Sequence, residues 1–224
     1  MQTVIIPNKY NERLVGLLHE AGSKPIVVLC HGFRSSKDDS TIKAITTALT
    51  REGISAFHFD FSGNGESDGS FQYGNYWKEV EDLRSVVEYL SGAQRKIIAI
   101  VGHSKGDLEL WKFEYRVTEE SLMDRLSTDM HVASPMIDKN CRVLTIHGTK
   151  DEIVPVEDAL EFDKLIPNHK LHTIEGANHV YSSHGSELAS TVVDFIKAGY
   201  LPENQQSQEV PSCPRTRRLI RSRI

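Results

Sequence analysis

Long apolar runs are missing from this sequence. Nowhere do roughly 18 consecutive apolar residues occur, the length a membrane-spanning helix needs, and the opening MQTVIIPNKYNERLVGLLHE lacks the basic-then-apolar pattern of a secretory leader. Cysteine is scarce: Cys30, Cys141 and Cys213 form no Cys-x-x-Cys pair, and three thiols cannot all pair with one another. A disulfide framework is therefore not expected, and structural or incidental thiols in a reducing, cytoplasmic setting are. Histidine and cysteine spacings contain no metal pattern such as His-Glu-x-x-His, so no metal is expected. The stretch GNGESDG lacks the Gly-x-Gly-x-x-Gly register of a phosphate-binding loop, so no nucleotide cofactor is expected either. Net positive charge is absent as well. The chain carries −5, and the five arginines between Val210 and Ile224 (Arg215, Arg217, Arg218, Arg221, Arg223) leave −10 on the remainder. So acidic a body argues against nucleic acid as a partner.

The 224 residues, 39% of them hydrophobic, suffice for the core of one domain. Short β-branched runs recur at IVVLC (26–30), ISAFHF (54–59), IIAIV (97–101), VLTI (143–146) and LHTI (171–174). Near-continuous hydrophobicity over such short lengths predicts parallel strands buried on both faces. Between them lie helical patterns. Ile42, Ile45 and Leu49 follow a candidate N-cap at Ser40, and Trp77, Val80, Leu83, Val87 and Leu90 make one stripe. Further helices are predicted over Val156–Leu165 and around Leu188, Val192, Phe195 and Ile196. TVIIP and RLVGLLH, separated by NKYN, predict an antiparallel hairpin at the start. Alternation of this kind specifies an α/β fold, a mostly parallel sheet with helices on both faces. Residues 1–200 are read as a single domain, and 201–224 as a disordered basic tail, with a sorting signal such as nuclear targeting, or a patch for acidic partners or membranes, as its alternatives.

Gly102-His103-Ser104-Lys105-Gly106 directly follows IIAIV. A serine on a sharp strand-to-helix turn needs small neighbours, because side chains there would collide with adjacent elements. The hydroxyl needs a base, and the base needs a carboxylate to orient it. Asp151 and His179 follow later predicted strands, at the carboxyl ends where functional groups of an open α/β sheet converge. His184 is the main rival base; His58 falls inside a strand, and His103 flanks the serine and points away from the base position. Backbone N–H groups of Phe33, in the turn HGFRSS, and Lys105 are candidate oxyanion donors.

HGFRSSKDD, FDFSGNGESDGSF, GHSKG, HGTKDEIVP and EGANH together resemble the α/β-hydrolase superfamily, in particular its plant cytosolic serine aminopeptidase-like branch, which is also similar to monoacylglycerol lipases. The resemblance spans roughly residues 1–106 and 115–200. It implies a catalytic triad of Ser104, Asp151 and His179 and an oxyanion hole at Phe33 and Lys105; with no cofactor motif beside it, the expected protein is a serine hydrolase acting on a small-molecule or lipid-like ester, thioester or amide. Asp60, Gly63, Gly65 and Ser67 match a structural turn near the mouth of the active site in that family.

Between nucleophile and acid the resemblance breaks. Asp151 lies 47 residues after Ser104, too few for a helix, a further strand and a full cap when one crossover and its return take about 30. The sequence therefore reads as internally deleted after the nucleophile, with the sixth strand and most of the cap missing and a truncated cap around 107–140. TEESLMDRL offers a helical face that would cover part of the gap. The alternative function is a catalytically impaired or inactive shortened form with a binding role or none.

Overall fold

The computed structural model describes residues 1–104 and 129–200. Expectations for Lys105, the junction and cap residues up to 128, the tail 201–224 and Cys213 lie outside the described residues.

The opening hairpin forms as read, β1 (Gln2–Pro7) against β2 (Arg13–His19). It is followed by β3 (Pro25–Cys30), β4 (Ser55–Phe59) and β5 (Lys96–Gly102). These five strands order as β1-β2-β4-β3-β5, antiparallel through β2–β4 and parallel from β4 through β3 to β5. Two more, β6 (Val143–Gly148) and β7 (His169–Ile174), form a separate parallel pair. Among the described residues no ladder joins the two sheets.

Helix α1 (Ser40–Arg51) begins one residue earlier than its sequence reading: Asp39, not Ser40, is the N-cap, its carboxylate accepting from the N–H groups of Thr41 and Ile42. A carboxylate there satisfies two orphan donors and complements the helix dipole. Helix α2 (Tyr76–Gly92) turns differently from its apolar stripe. Trp77 and Val80 stay 68% and 45% exposed, while Asp82, Val86 and Leu90 are buried. A polar network draws Asp82 inward, where it accepts from the Asn8 side chain and the Ser62 N–H, both at 2.8 Å. Helices α3 (Val156–Leu165) and α4 (Gly185–Gly199) follow β6 and β7. In the predicted cap, the described part holds one helical turn, Met130–Ala133, and a 3₁₀ turn, Ser134–Met136. No helix of the described residues is long and apolar enough to cross a membrane.

Two apolar layers flank the larger sheet. On one face Val27, Leu29 and Ala56 meet Ile42, Ile45 and Leu49 of α1 and Leu188, Val192 and Ile196 of α4; the other face carries Phe57, Phe59, Val86 and Leu90. Register aligns the carboxyl ends, Cys30 standing beside Phe59 and Gly102, and Gly148 beside Ile174. The loops that follow these strands therefore emerge along one edge. Strand β5 departs from the expectation of burial on both faces, since Ile100 is 53% exposed.

Two glycines at this edge differ sharply. Among the described residues, a Cβ on Gly32 would stand 2.3 Å from the Ser104 carbonyl oxygen, whereas one on Gly102 would meet nothing within 4 Å. Among the described residues the collision expected at the first glycine of the Gly-x-Ser-x-Gly turn does not arise, because β5 has no described neighbour on its outer side. Gly32→Ala is expected to destabilise by about 1–3 kcal/mol, and Gly102→Ala to stay within about 1 kcal/mol of the parent, as read by urea denaturation.

His58 is buried beneath α1, its Nε2 3.0 Å from Nε2 of His19. One ring donates and the other accepts, so the pair shares one proton. Burial first, and then the neighbouring His19, pushes His58 from 6.5 down to about 4. Because the unfolded chain binds a proton that the fold refuses, stability is fully present above pH 6.5 and is lost as pH falls toward 4, on the order of 2–3 kcal/mol. Chemical denaturation across that window is expected to show the loss, and His58→Leu to flatten it.

Candidate active site

Ser104 ends the turn that leaves β5, with φ +40°. A side chain in this left-handed region is strained, and surrounding structure must hold it there. His103 N–H donates to the Cys30 carbonyl (3.1 Å) and Phe33 N–H to the Ser104 carbonyl (3.0 Å), while Gly32 allows the two turns to press together. The Phe33 turn is fixed by His31. Phe61 N–H donates to His31 Nε2 at 3.1 Å, which leaves the ring proton on Nδ1, donated to the Gly32 carbonyl at 2.7 Å.

Asp151, His179 and Ser104 come together in one hydrogen-bonded chain. His179 Nδ1 lies 2.9 and 3.1 Å from the two Asp151 oxygens, and His179 Nε2 lies 2.5 Å from Ser104 Oγ. Asp151 also accepts the N–H groups of Ile153 and Val154, each at 2.9 Å. Burial is the largest single influence on its carboxyl and opposes ionisation. Bonds from Val154, His179 and Ile153 together outweigh it and hold the carboxyl below its ordinary range. An ionised Asp151 favours the imidazole tautomer with hydrogen on Nδ1, which leaves Nε2 as the acceptor facing Ser104. His184, the rival base, stands instead at the N-cap position of α4, where its side chain makes no cap bond, its ring beside Gly176.

The sequence reading missed three supports of this arrangement. His147 Nε2 donates to the Val154 carbonyl at 3.0 Å and lies 3.7 Å from Asp151 Oδ2, bracing the acid-bearing turn. Tyr181 adopts φ +52° and donates its hydroxyl to the Ile146 carbonyl at 2.8 Å; burial, followed by the charge of Asp151, pushes its phenol up to about 12, so it stays protonated. His103 faces the main chain of His179 rather than pointing away from it. A histidine within a Gly-x-Ser-x-Gly turn carries no signal of such a role. Of the two expected oxyanion donors, Phe33 turns its N–H onto Ser104's own carbonyl, and Lys105 lies outside the described residues.

Asp60, Gly63, Gly65 and Ser67 build a rigid turn at the same edge. The fully buried Asp60 carboxylate accepts from Lys37 N–H (2.6 Å), Lys37 Nζ (2.9 Å) and Glu66 N–H (2.9 Å). Gly65, at φ +51°, leaves no room for a side chain: a Cβ would stand 2.2 Å from Asp60 Oδ2. Ser67 Oγ donates to the Asp60 carbonyl and accepts from Val15 N–H, which ties the turn to β2.

Residues 21–119 match the family described as serine aminopeptidase, S33. No curated protein matches. Among solved structures, Est1E from Butyrivibrio proteoclasticus with ferulic acid bound is similar at a TM-score of 0.75 and 21% identity, over 88% of this chain and 98% of that one. The Pyrococcus furiosus esterase Pf2001 is similar at 0.70 and 23%, over 88% and 89% of the two chains. An α/β serine hydrolase homologue from Coxiella burnetii is similar at 0.67 and 18%, over 87% and 96%. Likeness across nearly the whole of each chain, together with the sheet order and the turns at its carboxyl edge, identifies the fold of this protein as that of the α/β-hydrolases.

Proposed function

We propose that the chain is a serine hydrolase that cleaves a carboxylic ester, with thioester or amide cleavage as chemical variants of the same step. The observation that carries this reading is the continuous hydrogen-bonded chain from Asp151 through His179 to Ser104. His179 Nε2 takes the hydroxyl proton as Ser104 Oγ attacks the substrate carbonyl, and Asp151 steadies the imidazolium that forms. The tetrahedral intermediate collapses, His179 returns the proton to the departing alcohol, and a water activated in the same way releases the acid from Ser104. Backbone N–H groups of Phe33 and Lys105 are the proposed oxyanion donors, and Phe33 must share or release its bond to Ser104 to act as one. Likeness to an esterase and to a ferulic acid complex supports an ester of a small organic acid as the substrate class.

A second reading, a catalytically impaired member of this fold, is favoured by two observations. The Phe33 donor is engaged in the resting site, and the nucleophile strand has an exposed outer face at Ile100. Labelling of the purified, monodisperse protein with a fluorophosphonate probe separates the two. The parent is expected to label, with labelling abolished in Ser104→Ala and His179→Ala. Asp151→Asn is expected to slow labelling by roughly 10³- to 10⁴-fold, because the imidazole then adopts the wrong tautomer. A folded parent that does not label establishes the impaired reading.

A further inference from the structure

Ser104 belongs to the five-stranded sheet, whereas Asp151 and His179 follow the strands of the two-stranded one. A triad normally inherits its spacing from a continuous ladder of strands. Here, among the described residues, that ladder is interrupted, so the spacing between nucleophile and base depends on what else crosses the divide. Two polar contacts cross it at the turn bearing the base. His103 Nε2 donates to the carbonyl of His179 at 3.1 Å, and Thr41 Oγ1 donates to the carbonyl of Val180 at 3.4 Å. Both donors sit on the nucleophile side, one in the turn after β5 and one in the first turn of α1, and the acceptors are consecutive main-chain carbonyls.

We infer that His103, seconded by Thr41, is a positioning residue that sets the reach of His179 to Ser104. This inference rests on the proposed serine hydrolase chemistry. The His103 side chain is 12% exposed; its ring lies 5.6 Å from that of His179 and 6.2 Å from that of Tyr181, and its Nδ1 is 3.7 Å from Asp39 Oδ1. Asp39 is itself fixed, since the same oxygen caps α1. The ring thus lies beside a helix cap at one end, close-packed rather than bonded to it, and presents Nε2–H to the backbone of the base at the other. Because His103 directly precedes the nucleophile, any shift of the elbow carries along the donor that holds the base. Serine and imidazole then move together, which preserves their separation.

The test is hydrolysis of 4-nitrophenyl butyrate by His103→Ala, His103→Gln and Thr41→Val, with rates divided by the number of sites titrated with fluorophosphonate so that misfolded protein drops out. His103→Ala is expected to lower kcat per site by roughly 10- to 100-fold, the effect of misplacing a reacting group by about 1 Å, with KM changed less than about threefold, since no substrate contact is removed. His103→Gln, whose amide N–H reaches the same carbonyl, is expected to restore most of that loss. Thr41→Val, isosteric and without the hydroxyl, is expected to give a smaller loss of the same kind, and it serves if His103→Ala does not fold. An unchanged kcat per site in His103→Ala, or no recovery in His103→Gln, overturns the inference. Should the parent neither label nor turn over, the hydrolase reading fails on its own. Positioning is then read from the downfield imidazole N–H proton resonance of the His179–Asp151 pair: its loss in His103→Ala and return in His103→Gln support the inference, and its persistence in His103→Ala overturns it.

Discussion

Apolar packing between α1 and α4 holds the two halves of this molecule in register. Ile42, Ile45 and Leu49 meet Leu188, Val192, Val193 and Ile196 over a floor supplied by Val27, Leu29 and Ile174, strands of both sheets contributing. Such packing is strong in sum and weakly directional. It brings two groups near one another without setting an angle. A proton transfer tolerates about 0.5 Å of error, so directional contacts must be superimposed on it. The bonds that converge on the turns after β3, β5, β6 and β7 supply that direction.

Those turns owe their rigidity to buried polar side chains. The Lys37 ammonium is burdened first by burial, yet its bonds to Glu66 and Asp60 hold its charge more firmly than in water. Removing either partner of such a buried pair leaves an uncompensated charge, which costs far more than the pair contributes. His31, Asn8 and Asp82 do comparable service without ion pairing, His31 and Asn8 engaging both donor and acceptor atoms and Asp82 accepting from Asn8 and the Ser62 N–H. Conformational uniqueness at the strand ends therefore comes from polar satisfaction, while bulk stability comes from the two apolar layers.

Much of this was legible in the sequence because it is written in short-range pattern. The five runs and the opening hairpin appear as strands within one or two residues of their expected limits, since β-branched runs bounded by polar turns leave few alternatives. The three residues of the hydrogen-bonded chain stood out for a similar reason, each lying just past a strand end. Cooperation between distant side chains was not legible. Asp39 displaced Ser40 as the cap because the carboxylate reaches two amides. Asp82 overrode the apolar stripe of α2 because Asn8, far away in the chain, required a partner. His103 looked idle until the fold placed it beneath the carbonyl of His179.

The bond from Phe33 N–H to the Ser104 carbonyl gives the resting site an internal competitor. A neutral ester carbonyl is an acceptor no better than the peptide oxygen already in place, and so gains little by displacing it. A full negative charge is a much stronger acceptor. On the proposed chemistry, the donor would change partners as charge develops rather than when substrate arrives. A contact made late in this way weakens ground-state affinity and leaves its contribution for the transition state. Such a site would be frugal toward esters that merely visit and responsive to those that react.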